Sequence, residues 1–131
     1  MQLVTPIDIE DALRTDLAAL KADARFFAPP IPPDLKANDV LIERLGGGRI
    51  TGVSHEYDVS IDCYADNDAE AVALSNAVHG LFVSLPVRAT STQYSAATAN
   101  TPYSNYDPRA PELSRQTFRA SVICPGNRIN F

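Results

Sequence analysis

The sequence predicts an α+β domain in the order helix, two strands, helix, two strands, with a mostly antiparallel four-stranded sheet and both helices on one of its faces. Three patterns carry that prediction. Tyr57, Val59, Ile61 and Cys63 alternate with Glu56, Asp58, Ser60 and Asp62, the period of two that a half-buried strand needs. Ala71, Leu74, Val78, Leu81, Phe82 and Leu85 recur at steps of three and four, one apolar stripe along a helix that Pro86 stops. Arg115 to Cys124 alternates again, with Phe118, Ala120, Val122 and Cys124 opposed to Thr117, Arg119, Ser121 and Ile123, until Pro125-Gly126 ends the strand.

Taken in order, Thr5, Pro6 and Asp8 read as a helix entry, with Thr5 as the cap and Pro6 at the first helical position. Ile9, Leu13, Leu17 and Leu20, flanked by Ala12 and Ala24, then make an amphipathic helix of about five turns. After Phe26-Phe27, the run Pro29-Pro30-Ile31-Pro32-Pro33 is barred from helix and reads as a stiff, extended connector over the core; its alternative use is as a ligand for a proline-reading domain. Asp39 to Leu45 is a first strand by its Val40-Leu41-Ile42 content, joined to the second by a hairpin turn at Gly46-Gly47-Gly48. Asp66-Asn67-Asp68 offers side-chain oxygens to cap the second helix near Asp68, with Glu70 in its first turn. Val87 to Ser95 has the composition of a strand near an edge. Ala96 to Glu112 shows no periodicity, and a connection of that length usually binds something. The chain is read as one domain over residues 1–131.

Charge and motif patterns exclude several functions. A net charge of −5 argues against an electrostatic grip on nucleic acid, which needs clustered Lys and Arg. No apolar run approaches the roughly eighteen residues of a membrane span, and Met1 to Pro6 lacks a basic segment followed by an apolar one, so a soluble chain is expected. Cys63 and Cys124 fall on the apolar parity of their strands and read as small buried groups rather than a disulfide. Gly46-Gly47-Gly48 beside Arg49 lacks the residues that complete a phosphate-binding loop. Glu56, Asp58 and Asp62 share a strand face, and carboxylates two residues apart on a strand, as Glu56 and Asp58 are, sit about 7 Å from each other, a separation an inverting glycosidase uses, but nothing near them raises a pKa, and an acidic exposed strand face is the simpler reading. Asp66, Asp68 and Glu70 alternate like the start of a calcium loop, yet Ala71 and Ala77 stand where glycine and a bidentate glutamate are required. His55, His79, Cys63 and Cys124 are the remaining ligand candidates, and His55 lies about 27 Å along an extended strand from Cys63. No catalytic residue, cofactor or metal is assigned, and an enzyme is not expected.

The stretch Tyr57-Asp58-Val59-Ser60-Ile61-Asp62-Cys63-Tyr64-Ala65, followed by Asp66-Asn67-Asp68-Ala69-Glu70-Ala71 and a helix ending Leu81-Phe82, resembles the tail terminator, or tail completion, proteins of long-tailed bacteriophages. The chain length, the N-terminal helix and the final strand Arg115 to Cys124 are similar too. The resemblance implies a minor virion protein that forms a hexameric ring on the tail tube, ends its polymerisation and joins the tail to the head. Its partners would be further copies of itself, the tail tube protein and head–tail connector proteins. DNA would pass without specific binding, no membrane would be involved, and the protein would lie at the neck end of the virion tail after assembly in the host cytoplasm. The alternatives are a head–tail connector or adaptor of the same phage neck, or a small non-viral interaction module docking through Pro29 to Pro33. Under the tail-ring reading, Tyr94, Tyr103, Tyr106 and Arg109 are expected at a subunit or tube interface. Gly46, Gly47, Gly48 and Arg49 are expected to reach the channel or the tube, and Glu56, Asp58 and Asp62 to repel passing phosphates at short range.

Overall fold

The computed structural model describes residues 1–130. Its strands are β1 (Gln2–Thr5), β2 (Arg25–Phe27), β3 (Asp39–Arg49), β4 (Ser54–Ala65), β5 (Ala96–Ala99), β6 (Tyr103–Ser104), β7 (Ser114–Pro125) and β8 (Asn127–Asn130); its helices are α1 (Ile9–Leu20) and α2 (Asp68–Val83). The main sheet runs β2-β3-β4-β7-β5, with β6 alongside β5 on the outer edge of β7. Long antiparallel pairings join β3 to β4 and β4 to β7, whereas β2 is parallel to β3. The alternating positions behave as their pattern requires: Tyr57, Val59, Ile61 and Cys63 of β4 and Phe118, Ala120, Val122 and Cys124 of β7 are buried under the helices. Ile9, Leu13 and Leu17 of α1 and Leu74, Val78 and Phe82 of α2 close the same core. Phe82 meets Phe118 edge to face at 6.3 Å, and each such buried aromatic or aliphatic side chain stabilises the fold by about 1.5–3 kcal/mol. Both cysteines are buried and free, and burial pushes the Cys124 thiol up to about 11.

Helix α2 starts where its caps place it, Asn67 accepting the Glu70 amide at 2.9 Å. Other expectations need correction. The sheet has six strands rather than four, because short segments that propensity leaves unmarked are drawn in at its edges. Thr5 does not cap α1; residues 2–5 pair with 127–130 as a separate ribbon, and Asp8 caps instead, its carboxylate accepting the Asp11 amide at 3.2 Å. Helix α1 stops after twelve residues, since the chain must turn at Lys21 to bring Phe26 and Phe27 into register with Val40 and Leu41. The segment 87–95 is not a strand: Val87 ends a 3-10 turn and stands 87% exposed, and the strands β5 and β6 fall inside the supposed loop. The proline run is a connector but not an extended one: it bends at residues 29–30 and turns at 33–34, which lets Ile31 and Leu35 pack on a second small core of Leu41, Tyr64, Ala110 and Leu113 on the helix-free side of the sheet.

The β1–β8 ribbon is held to the sheet end through Gly126, whose amide donates to the Val53 carbonyl at 2.9 Å. A Cβ at Gly126 would stand 2.3 Å from the Thr5 carbonyl oxygen and 3.2 Å from the buried Nδ1 of His55, which has no hydrogen-bond partner among the described residues. Gly126→Ala is therefore expected to push the ribbon off while the main sheet stays closed. Amides of β1 and β8 should lose hydrogen-exchange protection, with global stability lowered by only about 1 kcal/mol. Uniform loss of protection across β4 and β7 would count against this division.

Candidate assembly surfaces

The helix-free face of the sheet carries the even positions of β4 and the odd positions of β7. On it Asp58 accepts from the Ser121 hydroxyl and Asp62 from the Thr117 hydroxyl, each at 2.6 Å. The expected exposed acidic face is thus half-buried at Glu56, Asp58 and Asp62, because cross-strand hydroxyls lean over the two aspartates. It is also not uniformly acidic, since Arg119 stands opposite Ser60 and remains exposed. A shallow groove of about 280 Å³ runs between Asp58, Ser121, Arg119, Thr98 and Asn100.

At one end of this face, the 105–109 loop is fastened to the sheet by a buried carboxylate. Asp107, 1% exposed, accepts the Tyr64 hydroxyl at 2.8 Å, the Arg109 amide and Nε at 3.0 Å each, and pairs with Arg115 at 3.3 Å. Arg115, across the strands from Tyr64, also donates to the carbonyls of Asn105 at 2.6 Å and Tyr106 at 3.2 Å. Desolvation opposes the Asp107 charge, but the donors from Arg109 and Tyr64 and the nearby Arg115 together hold its carboxyl down to about 2. Desolvation in turn pushes the Tyr64 phenol up to about 12.

This fastening decides where the expected interface residues lie. Tyr103 on β6 and Tyr106 just beyond it are 49% and 63% exposed, and Arg115 ties the backbone there through the Asn105 and Tyr106 carbonyls. Arg109 is largely exposed but is spent on Asp107. Tyr94 does not join them. It is 3% exposed, and its hydroxyl donates at 2.7 Å to Asp16, a buried carboxylate of α1 that also accepts the Ser91 and Thr92 amides at 2.9 and 3.3 Å. The aromatic composition of the loop was legible, but the carboxylates that sort its tyrosines into inside and outside were not; Asp16 and Asp107 look like ordinary solvated acids in sequence.

Gly46, Gly47 and Gly48 do not form the hairpin turn either. They are paired with Asp58, Tyr57 and Glu56 within the ladder, after a bulge that leaves Leu45 unpaired. The turn is residues 50–53, built by Thr51, whose Oγ1 accepts the Val53 and Ser54 amides at 3.2 and 3.0 Å. Ile50 and Val53 stand there 51% and 45% exposed, while Arg49 reaches back to the Val4 carbonyl at 3.2 Å. The result is a long arm, β3 and β4 beyond Ile42, whose outer edge has no described strand along it.

His79 packs on Phe118 at 5.3 Å, and among the described residues no three His, Cys, Asp or Glu side chains converge as a metal site. No described helix is long and apolar enough to cross a membrane. In fold, the chain is similar to a chain of the virion of the native gene transfer agent particle, with a TM-score of 0.57 and 20% identity over 90% of this chain and 92% of that one. No protein-family model and no curated protein matches the sequence.

Proposed function

We propose that this chain is a structural subunit of a phage-like virion, a ring component that caps the tail tube, ends its polymerisation and joins the tail to the head. The observation that carries the reading is the likeness of fold to a virion chain, which runs through nearly the whole length of both. The surfaces fit such a role. The β6 edge presents Tyr103 and Tyr106 on a loop ordered before any partner arrives, which spares the entropy of ordering it on contact. The half-buried acids of the helix-free face, in a chain of net charge −5, suit a ring through which DNA slides without sticking. In this reading the chain is not an enzyme and needs no cofactor, its partners are copies of itself, the tube and the connector, and it resides at the neck end of the tail.

The test combines native mass spectrometry with electron microscopy of tail tubes mixed with labelled protein. Hexamers, and label at one end of each tube, are the expected results. Replacing Tyr103 and Tyr106 together by serine should leave folding stability within about 0.5 kcal/mol, as for other exposed positions, and reduce tube capture. A chain that binds no tube end overturns the capping role, and one that binds only connector preparations becomes a head–tail adaptor.

A further inference from the structure

Helix α2 has two apolar faces where the fold uses one. Its inner face, Leu74, Val78 and Phe82, is core, but its outer face is also without charge: Val72 and Val83 are 43% and 40% exposed, Val87 just beyond is 87% exposed, and Ala73, Ala77 and Gly80 are exposed between them. From Ala71 to Val87 there is no Asp, Glu, Lys or Arg. Of the exposed positions from Val72 to Val83 only Asn76 is polar, and an apolar helix face is ordinarily covered. Gly80 weakens such a helix, and nothing in the chain calls for it, since a Cβ there would meet no atom within 4 Å.

The β3–β4 arm shows the matching anomaly. Gly48 has an ordinary backbone angle and open space at its Cβ position, so the fold does not require it. Leu45 and Ile50 are half exposed on either side, along a strand edge that no described strand pairs and whose Arg44 amide donates to the Glu10 carboxylate at 2.8 Å. From Arg44 to Ser54 the arm's only charges are Arg44 and Arg49. The mouth of α2 carries the opposite sign in Asp66, Asp68 and Glu70, all exposed.

We propose that the outer face of α2 seats the β3–β4 arm of a second copy of this chain. Copies that each carry −5 repel, and an uncharged helix face with an acidic mouth, meeting an arm whose outer part from Arg44 to Ser54 carries only Arg44 and Arg49 beyond the exposed Glu43 at its base, is a pairing that lowers this cost. The small side chains at Ala77 and Gly80 let a glycine backbone approach closely. Because α2 packs on β4, β7 and β5 while the arm's open edge belongs to β3, the two surfaces are different patches of the subunit. The contact is therefore head to tail, the kind that closes into a ring. The inference goes beyond the proposed capping role, which leaves open which surfaces meet.

The experiment measures association of the full chain by native mass spectrometry and light scattering, with thermal melting as the control for folding. Gly80→Leu should keep or raise the melting midpoint and weaken association at least about tenfold. Arg44→Glu with Arg49→Glu should weaken it similarly, and adding Asp66→Lys with Glu70→Lys should restore it, which keeps the test decisive should leucine disturb the helix. Rings that persist in Gly80→Leu, or a charge exchange without rescue, would overturn this interface while leaving the capping role intact. A wild-type chain that stays monomeric at the highest attainable concentration would overturn it too, and tube binding alone would then judge the capping role.

Discussion

Replacing Asp107 by alanine is expected to cost about 3–5 kcal/mol of folding stability, the range for removing one partner of a buried ionic network. The substitution strands two groups at once. The Tyr64 hydroxyl, wholly buried, loses its acceptor, and Arg115, 11% exposed, is left with Asp62 at 3.9 Å as its nearest carboxylate. Urea denaturation at neutral pH measures the loss, and a change below about 1 kcal/mol would mean that water or a neighbour replaces the carboxylate at little cost. Asp107→Asn keeps an acceptor for Tyr64 and should cost less.

The same residue sets a pH dependence. Its carboxyl is held at about 2 in the folded chain against an ordinary value of 3.8, so the unfolded chain binds the proton first as pH falls. The stabilisation is therefore complete above about pH 4 and is lost as pH drops from there through 2. Acid titration of the wild type should show this loss, and Asp107→Asn should flatten the profile in that window. An unchanged slope would assign the acid sensitivity to other carboxylates.

What could be read from sequence, and what could not, divides along the same physical line. Strands β4 and β7 and helix α2 announce themselves because one face of each is buried against a large core, and burial imposes a period on the chain. Asp107 sits in Asn105-Tyr106-Asp107-Pro108, where composition says only turn; its role depends on Tyr64, forty-three residues away, and no local pattern encodes that contact. Strand β1 pairs with β8 at the far end of the chain, beyond any local signal. Strand β5 is Ala96-Ala97-Thr98-Ala99, poor in strand-forming residues, and is recruited by the free edge of β7 rather than by its own preference. Of the interface candidates, exposure at Tyr103 and Tyr106 follows from their polar surroundings, while Tyr94 is claimed by Asp16 through a contact that only the fold creates.

The three consecutive glycines are expected to respond to alanine in three different ways, with the largest effect in the middle. A Cβ at Gly47 would stand 2.0 Å from the Glu56 carbonyl oxygen, 2.8 Å from its carbonyl carbon and 3.0 Å from the Tyr57 Cα, all of them backbone that cannot swing aside. Its φ of +135° adds a conformation that side chains avoid. Combining that strain with overpacking, Gly47→Ala should lower stability by about 3 kcal/mol or more, or slip the β3–β4 register beyond the Leu45 bulge. Gly46 has φ +153° but open space, so Gly46→Ala pays strain alone, about 1 kcal/mol. Gly48 has neither constraint, and Gly48→Ala should stabilise the isolated chain by up to about 1 kcal/mol by narrowing the unfolded ensemble. Chemical denaturation of the three variants, at concentrations where each is monomeric, checks the order. Equal effects at all three positions would return the glycines to a flexible turn. A graded series would establish that this stretch is a rigid strand with no room for a Cβ against its neighbour's backbone at a single residue, Gly47.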